Sequence, residues 1–538
     1  MKEYGYKLKD GVIYGGDVSL PSHLNYGKIV VELLRRHKDK QALIDGITGE
    51  KITFNELAQK VLNTAASLIQ LGVKRRDVVS ICSENRIEFM ITVFATIYIG
   101  AVANFVNCAY SKDEIIHTIQ ISKPKHIFLS PTTYDKYFKI LNKNVSINQY
   151  FVFGKPMKDV NVICFEELVR NSVKGDSVQA ANITDGSETA IIVYSSGTTG
   201  LPKGAKWTHL NLLVTALQPI CTYRNLTFLN IAPWTNTVGY MLTTQMLLDG
   251  KSAVFLTRFD EVTYLRTIEK YKVGFLLAVP PLVILLSKCQ FLYKYDVSSI
   301  KVILCGGASL ESDVIADVKR RLPNLEYVLQ AYGMSEATGA ITMEYESANK
   351  LGSVGKVMPG IIVKVVDTES RKILPPNQPG EVCLKGAALF GGYIGHNVTG
   401  SDDYDEEGFF KTGDIAYYDD EGFFFIVDRI KDLIKYKSWQ VGPSELEAVL
   451  LQHPEVKDAA VIGVPDSLAG ELPLAFIIKQ PGSNVNEKEI INFVEPKVSP
   501  WKRLRGGVRF VSEIPKNGSG KILRRQLREL IAKSKSKL

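Results

Sequence analysis

The chain is 538 residues long, with hydrophobic residues at 45% and charged residues at 23%. That length exceeds one hydrophobic core and implies about two to four domains, and the balance excludes disordered, collagenous and coiled-coil classes. A formal net charge of +8 is small for this length; it argues for no nucleic-acid partner and leaves acidic small molecules and phosphates as ligands. The seven cysteines are odd in number and form no CxxC pair, which points away from a disulfide framework or a zinc site and toward a reducing compartment. The opening MKEYGYKLKDGVIYGGD carries neither the apolar core of a secretory signal nor the Arg/Ser-rich look of a transit peptide.

From residue 25 to about 411, short apolar β-like runs alternate with amphipathic helical stretches, the pattern of parallel sheets covered by helices. VVSIC, KHIFL, TAIIVY, KVIL and YVLQ are the clearest strands. The uncharged run at residues 89–106 reaches the length of a membrane span, but Gly100, Asn104 and two threonines interrupt it. It predicts a helix leading into the short buried strand AVANFV, and no transmembrane segment. A second apolar run, residues 273–286, is broken by Pro280-Pro281 and predicts a buried strand and a turn. Near residue 360 the texture changes to short strands with turn residues, ending in the hairpin-like AYYDDEGFFFIVDR, whose Asp-Glu-Gly supplies the turn. After Asp428-Arg429 a compact α+β segment follows, closed by a basic helix. The expected fold class is α/β: a large N-terminal body of helix-covered parallel sheets over 1–427, with a β-rich subdomain at about 355–427, and a small α+β C-terminal domain over 428–538.

Residues 194–204 read YSSGTTGLPKG, a dense run of Ser, Thr and Gly that follows a strand and ends on a lysine and a glycine. Glycines such as Gly197 let backbone N–H groups converge, Ser195, Ser196, Thr198 and Thr199 add hydroxyl donors, and Lys203 adds a point charge, so a polyphosphate is the natural guest. It is not a Walker A loop: counting from Gly197, Pro202 stands where the second glycine is required and Gly204 where Ser or Thr should hold the metal. A flexible surface loop is the plain alternative.

Further segments stand out in order: WTHLNL (207–212), CGGASL (305–310), QAYGMSE (330–336), KTGD (411–414), DRIKDLIKYKSWQVGPSELE (428–447) and PKNGSGKILRR (515–525). Together with the loop they make the chain resemble the ATP-dependent adenylate-forming enzymes, a family of acyl- and aryl-CoA ligases, insect luciferases and peptide-synthetase adenylation domains. YGMSE and LIKYK look most like insect luciferases, their relatives and 4-coumarate-type ligases.

The residues carry chemistry of their own. Tyr332 beside Gly333 offers a flat face for a base, and Glu336 a hard oxygen for Mg²⁺, although YGMSE in isolation is an ordinary turn and helix start. The resemblance implies that Tyr332 lies against adenine, that Glu336 binds Mg²⁺, that Asp414 accepts both ribose hydroxyls and that Arg429 lies near ribose and phosphates. It implies that Lys431 is the hinge of a mobile C-terminal domain, that Lys521 is the catalytic lysine of adenylation and that Lys435 serves the second step. His209, on the helix after the phosphate loop, is a candidate catalytic imidazole, with a buried or capping histidine as the competing explanation. The other six histidines form no cluster, so no zinc or iron site is assigned.

By the same resemblance, Trp234 and Asn236 face the acyl pocket, with Gly306, Gly307 and Ala308 as its backbone wall. Asn236 stands where the family commonly has histidine, and Ser438 where it usually has glycine against coenzyme A. The end Ser536-Lys537-Leu538 reads as a peroxisomal address with an import receptor as partner. The expected activity is an acid–CoA ligase that uses ATP, Mg²⁺ and coenzyme A to activate a fatty or aryl carboxylic acid; the alternative is an insect-type luciferase.

Overall fold

Apolar runs too continuous for a half-exposed strand become the buried strands of parallel sheets. In the computed structural model, Val102–Val106 is buried at every position and pairs in parallel with Val78–Cys82 on one side and Thr189–Ser195 on the other. His126–Leu129, Gln149–Val152 and Val162–Cys164 extend this sheet in parallel. Lys203–Thr208 closes its opposite edge as the antiparallel arm of a hairpin with Thr189–Ser195. The structure describes residues 7–535 except 19, 21–22, 155–161, 171–176, 196–201, 219, 221–222, 224–225, 308–309, 311, 396–401, 438, 467 and 517–520. Ser196, Gly197, Thr198, Thr199, Ala308, Ser438 and Ser536-Lys537-Leu538, all singled out by sequence, lie outside the described residues.

A second sheet centres on the parallel strands Val273–Ala278, Val302–Gly306 and Tyr327–Met334, then turns antiparallel through Gly339–Met343 and Lys356–Val357. The 89–106 run resolves into the almost wholly buried helix Ile87–Tyr98 and the strand Val102–Val106. Gly100 separates them with φ +74°, a conformation that costs glycine little, and a Cβ there would stand 2.7 Å from that of Ala181. Among the described residues no helix is long and apolar enough to cross a membrane. Residues 273–286 depart from expectation: the Pro-Pro pair opens the helix Pro280–Lys288 rather than forming a turn. The fixed φ and missing N–H of proline suit the first helical turn, where that N–H has no partner anyway.

A third, antiparallel sheet is built from Ile361–Val366, Gly380–Gly386, Phe410–Tyr418 and Phe424–Arg429. Its far edge is a hairpin, Lys7–Lys9 with Val12–Tyr14, from the start of the chain. Sequence reading did not anticipate this hairpin, because three-residue strands have no measurable period and their partner strand lies at the far end of the body.

Residues beyond 434 build cores of their own. In Val456–Asp466 alternate side chains point to opposite faces: Ala459 and Val461 join Ile434, Leu446, Ile477 and Val508 on one side, while Ala460 and Ile462 join Phe476, Leu527 and Ile531 on the other. The sheet between them comprises Ile434–Tyr436, Trp439–Val441, Val456–Asp466, Gly470–Lys479 and Gly507–Phe510. On its rim Trp439 stacks on Trp501, ring centroids 4.3 Å apart and planes 12° from parallel. The architecture is α/β, a body of mixed sheets and helices with a C-terminal domain, as the alternation of strands and helices implied.

Candidate active site

The loop hairpin brings Ser195 into register with Lys203, so a hydroxyl and an ammonium stand on its two stems. Thr208 fixes the exit by a reciprocal capping bond with Asn211, which starts the helix His209–Ala216. A segment of the β-rich region runs along the same hairpin: Gly391 N donates to Lys206 O, Lys206 N to Gly392 O and Ile394 N to Gly204 O. It carries Tyr393, whose ring lies 4.9 Å below Lys203 Nζ, a cation–π distance.

The strand Tyr327–Met334 ends in the tight turn Ser335–Ala337. There Glu336, 5% exposed, accepts a 2.5 Å hydrogen bond from Tyr393 Oη, and its carbonyl accepts one from Phe390 N. Ser335 is held from two sides: its carbonyl accepts from Trp207 Nε1 at 2.7 Å and its hydroxyl lies 2.7 Å from Thr237 Oγ1. The loop stem, the carboxylate turn and the helix Thr237–Leu248 therefore meet at one place.

Asp414 follows Gly413, whose φ of +71° turns the chain where a Cβ would be strained. Gly413 N donates to Glu381 Oε1 and Asp414 N to Thr412 Oγ1, so the turn is pinned. The carboxylate, 3% exposed, accepts from Tyr332 Oη at 2.7 Å and pairs with Arg429 Nε at 2.8 Å. Burial, then the charge of Asp414, pushes the Tyr332 phenol well above its ordinary range. Lys521 reaches this cluster from the C-terminal unit: burial and the Arg429 guanidinium lower its amine to about 8, against the pull of Asp414 and Asp432. Its segment is anchored by Lys516 on Asp458 at 2.7 Å and by Arg524. The Arg524 guanidinium donates to both oxygens of Glu447 at 2.7 and 2.8 Å and to Val461 O at 3.2 Å.

Not every residue picked from sequence joins the cluster. His209 is 1% exposed, its Nδ1 accepts from Tyr26 N at 3.1 Å, and burial lowers its pKa to about 4. The structure thus gives this imidazole the job of tying down the helix Tyr26–Arg36, the buried role that competed with the catalytic one. Trp234 is likewise buried, 1% exposed, with its ring against Phe89 and Phe255. Asn236 is half-buried at the N-cap of Thr237–Leu248 without a capping bond from its side chain. Gly306 ends the strand Val302–Gly306 and Gly307 follows it, exposed with φ +89°, and Gly333 is exposed beside a bulge, opposite Ala340. Lys431 is exposed. Lys435 is exposed too, and its backbone N–H donates to Glu471 at 2.8 Å. Sequence reading missed Tyr393 and Glu381. For Tyr393 the available signal was an aromatic set among glycines in GGYIG; for Glu381 there was none.

Comparison with known proteins points to one family. A family model described as AMP-binding enzyme matches residues 31–394, and one described as AMP-binding enzyme C-terminal domain matches 445–521. The chain is 40% identical over 509 residues to a luciferin 4-monooxygenase of Nipponoluciola cruciata, covering 92% of each. It is 36% identical over 511 residues to peroxisomal OPC-8:0-CoA ligase 1 of Arabidopsis thaliana, covering 93% of this chain and 92% of the relative. In fold it is similar to the anthranilate CoA ligase AuaEII in complex with anthranoyl-AMP, with a TM-score of 0.88 at 24% identity over 96% of this chain and 99% of that one. The ordered motifs, the meeting of Lys203 and Glu336 at Tyr393, the Tyr332–Asp414–Arg429 cluster and these matches lead to one conclusion: the chain belongs to the AMP-binding family of adenylate-forming enzymes, whose members include luciferases, 4-coumarate–CoA ligases and acyl-CoA ligases.

Proposed function

We propose that the chain is an ATP-dependent acid–CoA ligase acting on a fatty or aryl carboxylic acid. The observation behind this reading is that the Lys521 amine lies within electrostatic reach of the buried Asp414–Arg429 pair, a cation from the C-terminal unit near the carboxylate proposed to hold the nucleoside. In the first half-reaction a carboxylate oxygen of the acid attacks the α-phosphorus of ATP, the bond to the bridging oxygen breaks, and pyrophosphate leaves. Ser195, Lys203 and the loop between them hold the outer phosphates. Lys521 puts positive charge where negative charge gathers, an effect of ~10²–10³ in rate. Tyr332 lies under the adenine, and the ribose hydroxyls replace the Tyr332 hydroxyl and Arg429 as partners of Asp414.

Glu336 is a fitting holder for Mg²⁺. Among the described residues no three His, Cys, Asp or Glu gather as a metal site, and Mg²⁺ commonly takes one or two carboxylates and completes its shell with substrate phosphates and water. Bound there it neutralises phosphate charge. In the second half-reaction the thiol of coenzyme A gives up its proton and attacks the acyl carbon, and AMP leaves. We place the domain boundary near residue 428, with rotation about Lys431 bringing exposed Lys435 to the site in place of Lys521. The likeness to a peroxisomal ligase and the terminal Ser-Lys-Leu support peroxisomal delivery, which import of a fluorescent fusion with and without residues 536–538 tests.

The likeness to a luciferin 4-monooxygenase favours a second reading, in which the adenylate of a luciferin is oxidised by O₂ with emission of light. Pyrophosphate release across fatty acids, cinnamates and luciferins, each with and without coenzyme A in a luminometer, separates the two. Release that yields a coenzyme A thioester establishes the ligase, light without coenzyme A the luciferase, and silence with every acid overturns both.

A further inference from the structure

We infer that Tyr393 is a positioning residue for the metal and phosphate site, a spacer that keeps the Glu336 carboxylate and the Lys203 ammonium apart and correctly aimed. The inference rests on the adenylation reading above and adds to it a residue outside every motif that identified the site. Tyr393 is 8% exposed and acts in two directions at once. Its hydroxyl donates to Glu336 Oε1 at 2.5 Å, and its ring face carries Lys203 Nζ at 4.9 Å. The backbone on both sides of Tyr393 is hydrogen-bonded to the stem that holds Lys203, through Gly392 O and Ile394 N. The main chain that carries the ring is therefore fixed to the strand that carries Lys203.

A buried carboxylate and a half-buried ammonium this near one ring would ordinarily pair. Among the described residues Lys203 and Glu336 form no ion pair, and the ring stands against both. A direct pair would consume the two charges that the triphosphate and its cation need. The phenol avoids this by donating a neutral O–H to one carboxylate oxygen, which fixes the rotamer and leaves the other oxygen for a cation, as outer partners of metal ligands do. The π face meanwhile holds the ammonium without neutralising it.

The test uses the full chain and equilibrium calorimetry of ATP binding across a Mg²⁺ series, with no acid present, so that no turnover is needed. Tyr393→Phe keeps the ring and removes the hydroxyl: ATP affinity without Mg²⁺ is expected to match wild type, while the Mg²⁺ concentration at half-effect rises about 10-fold. Tyr393→Leu removes the spacer as well, and ATP affinity without Mg²⁺ is expected to fall too. Melting of the unliganded variants reports any loss of structure separately. A Tyr393→Phe protein with the wild-type Mg²⁺ midpoint, or with an affinity loss that is the same at every Mg²⁺ concentration, overturns the inference alone. A wild-type chain that binds no ATP overturns it together with the adenylation reading.

Discussion

Lys521 is a cation held where water is scarce. Its amine falls to about 8 through burial and the Arg429 guanidinium, so the free enzyme loses the charge as pH rises through that value. The kcat/KM for ATP in pyrophosphate release is expected to decline above pH about 8, and Lys521→Arg, charged throughout, is expected to lose the decline; a wild-type profile flat to pH 10 would contradict this. The stability sign runs the other way. The folded pKa lies below the unfolded one, so between about 8 and the ordinary lysine value of 10.5 the unfolded chain binds the extra proton and stability rises with pH; below 8 the full burial cost remains. Lys521, Asp414, Glu336 and Lys203 were picked out in the sequence because each sits in a short contiguous motif. Tyr393 was not, since its partner Glu336 lies 57 positions away and only the fold joins them. His209 shows the converse: a helix-start histidine next to a phosphate loop looks the same in sequence whether its ring faces the cleft or, as here, the backbone of Tyr26.

At the scale of elements, the strand-and-helix alternation was readable wherever burial imposed a period or an unbroken apolar run, as in Val102–Val106 and Ile87–Tyr98. It failed where the deciding force was nonlocal, in the Lys7–Tyr14 hairpin, or positional, in Pro280, whose ring starts a helix as readily as it ends one. Two contacts hold the segment that bears Lys521, Lys516 on Asp458 and Arg524 on Glu447, and the second is buried. Arg524 and Glu447 are both buried, 8% exposed each, and Arg524 ties that segment to the helix Pro443–Leu451. Glu447→Ala would leave a guanidinium buried without its partner, and the expected loss is about 3–5 kcal/mol of C-terminal domain stability. Urea unfolding measures it; a change under 1 kcal/mol would show that solvent reaches Arg524.

For the whole molecule, the arrangement of two lysines is the decisive feature. Lys521 lies within electrostatic reach of Asp414 and Arg429, whereas Lys435 stands exposed on Ile434–Tyr436, and under the proposed ligase reading this arrangement is that of the adenylation half-reaction. Lys521→Ala is expected to slow adenylate formation by ~10²–10³ and to spare thioester formation from a supplied acyl-adenylate, with Lys435→Ala showing the reverse. Equal losses in both half-reactions for either variant would sink the rotation. The Trp439–Trp501 stack has a bearing on how that rotation is watched. The chain has four tryptophans, and the other two, Trp207 and Trp234, are sealed in the body at 0% and 1% exposure. Indoles stacked at 4.3 Å couple their electronic transitions and sign the far-ultraviolet dichroism with a paired band, while the sealed pair governs blue-shifted emission. The enzyme thus carries two built-in optical channels, one for the unit proposed to turn and one for the body it turns against.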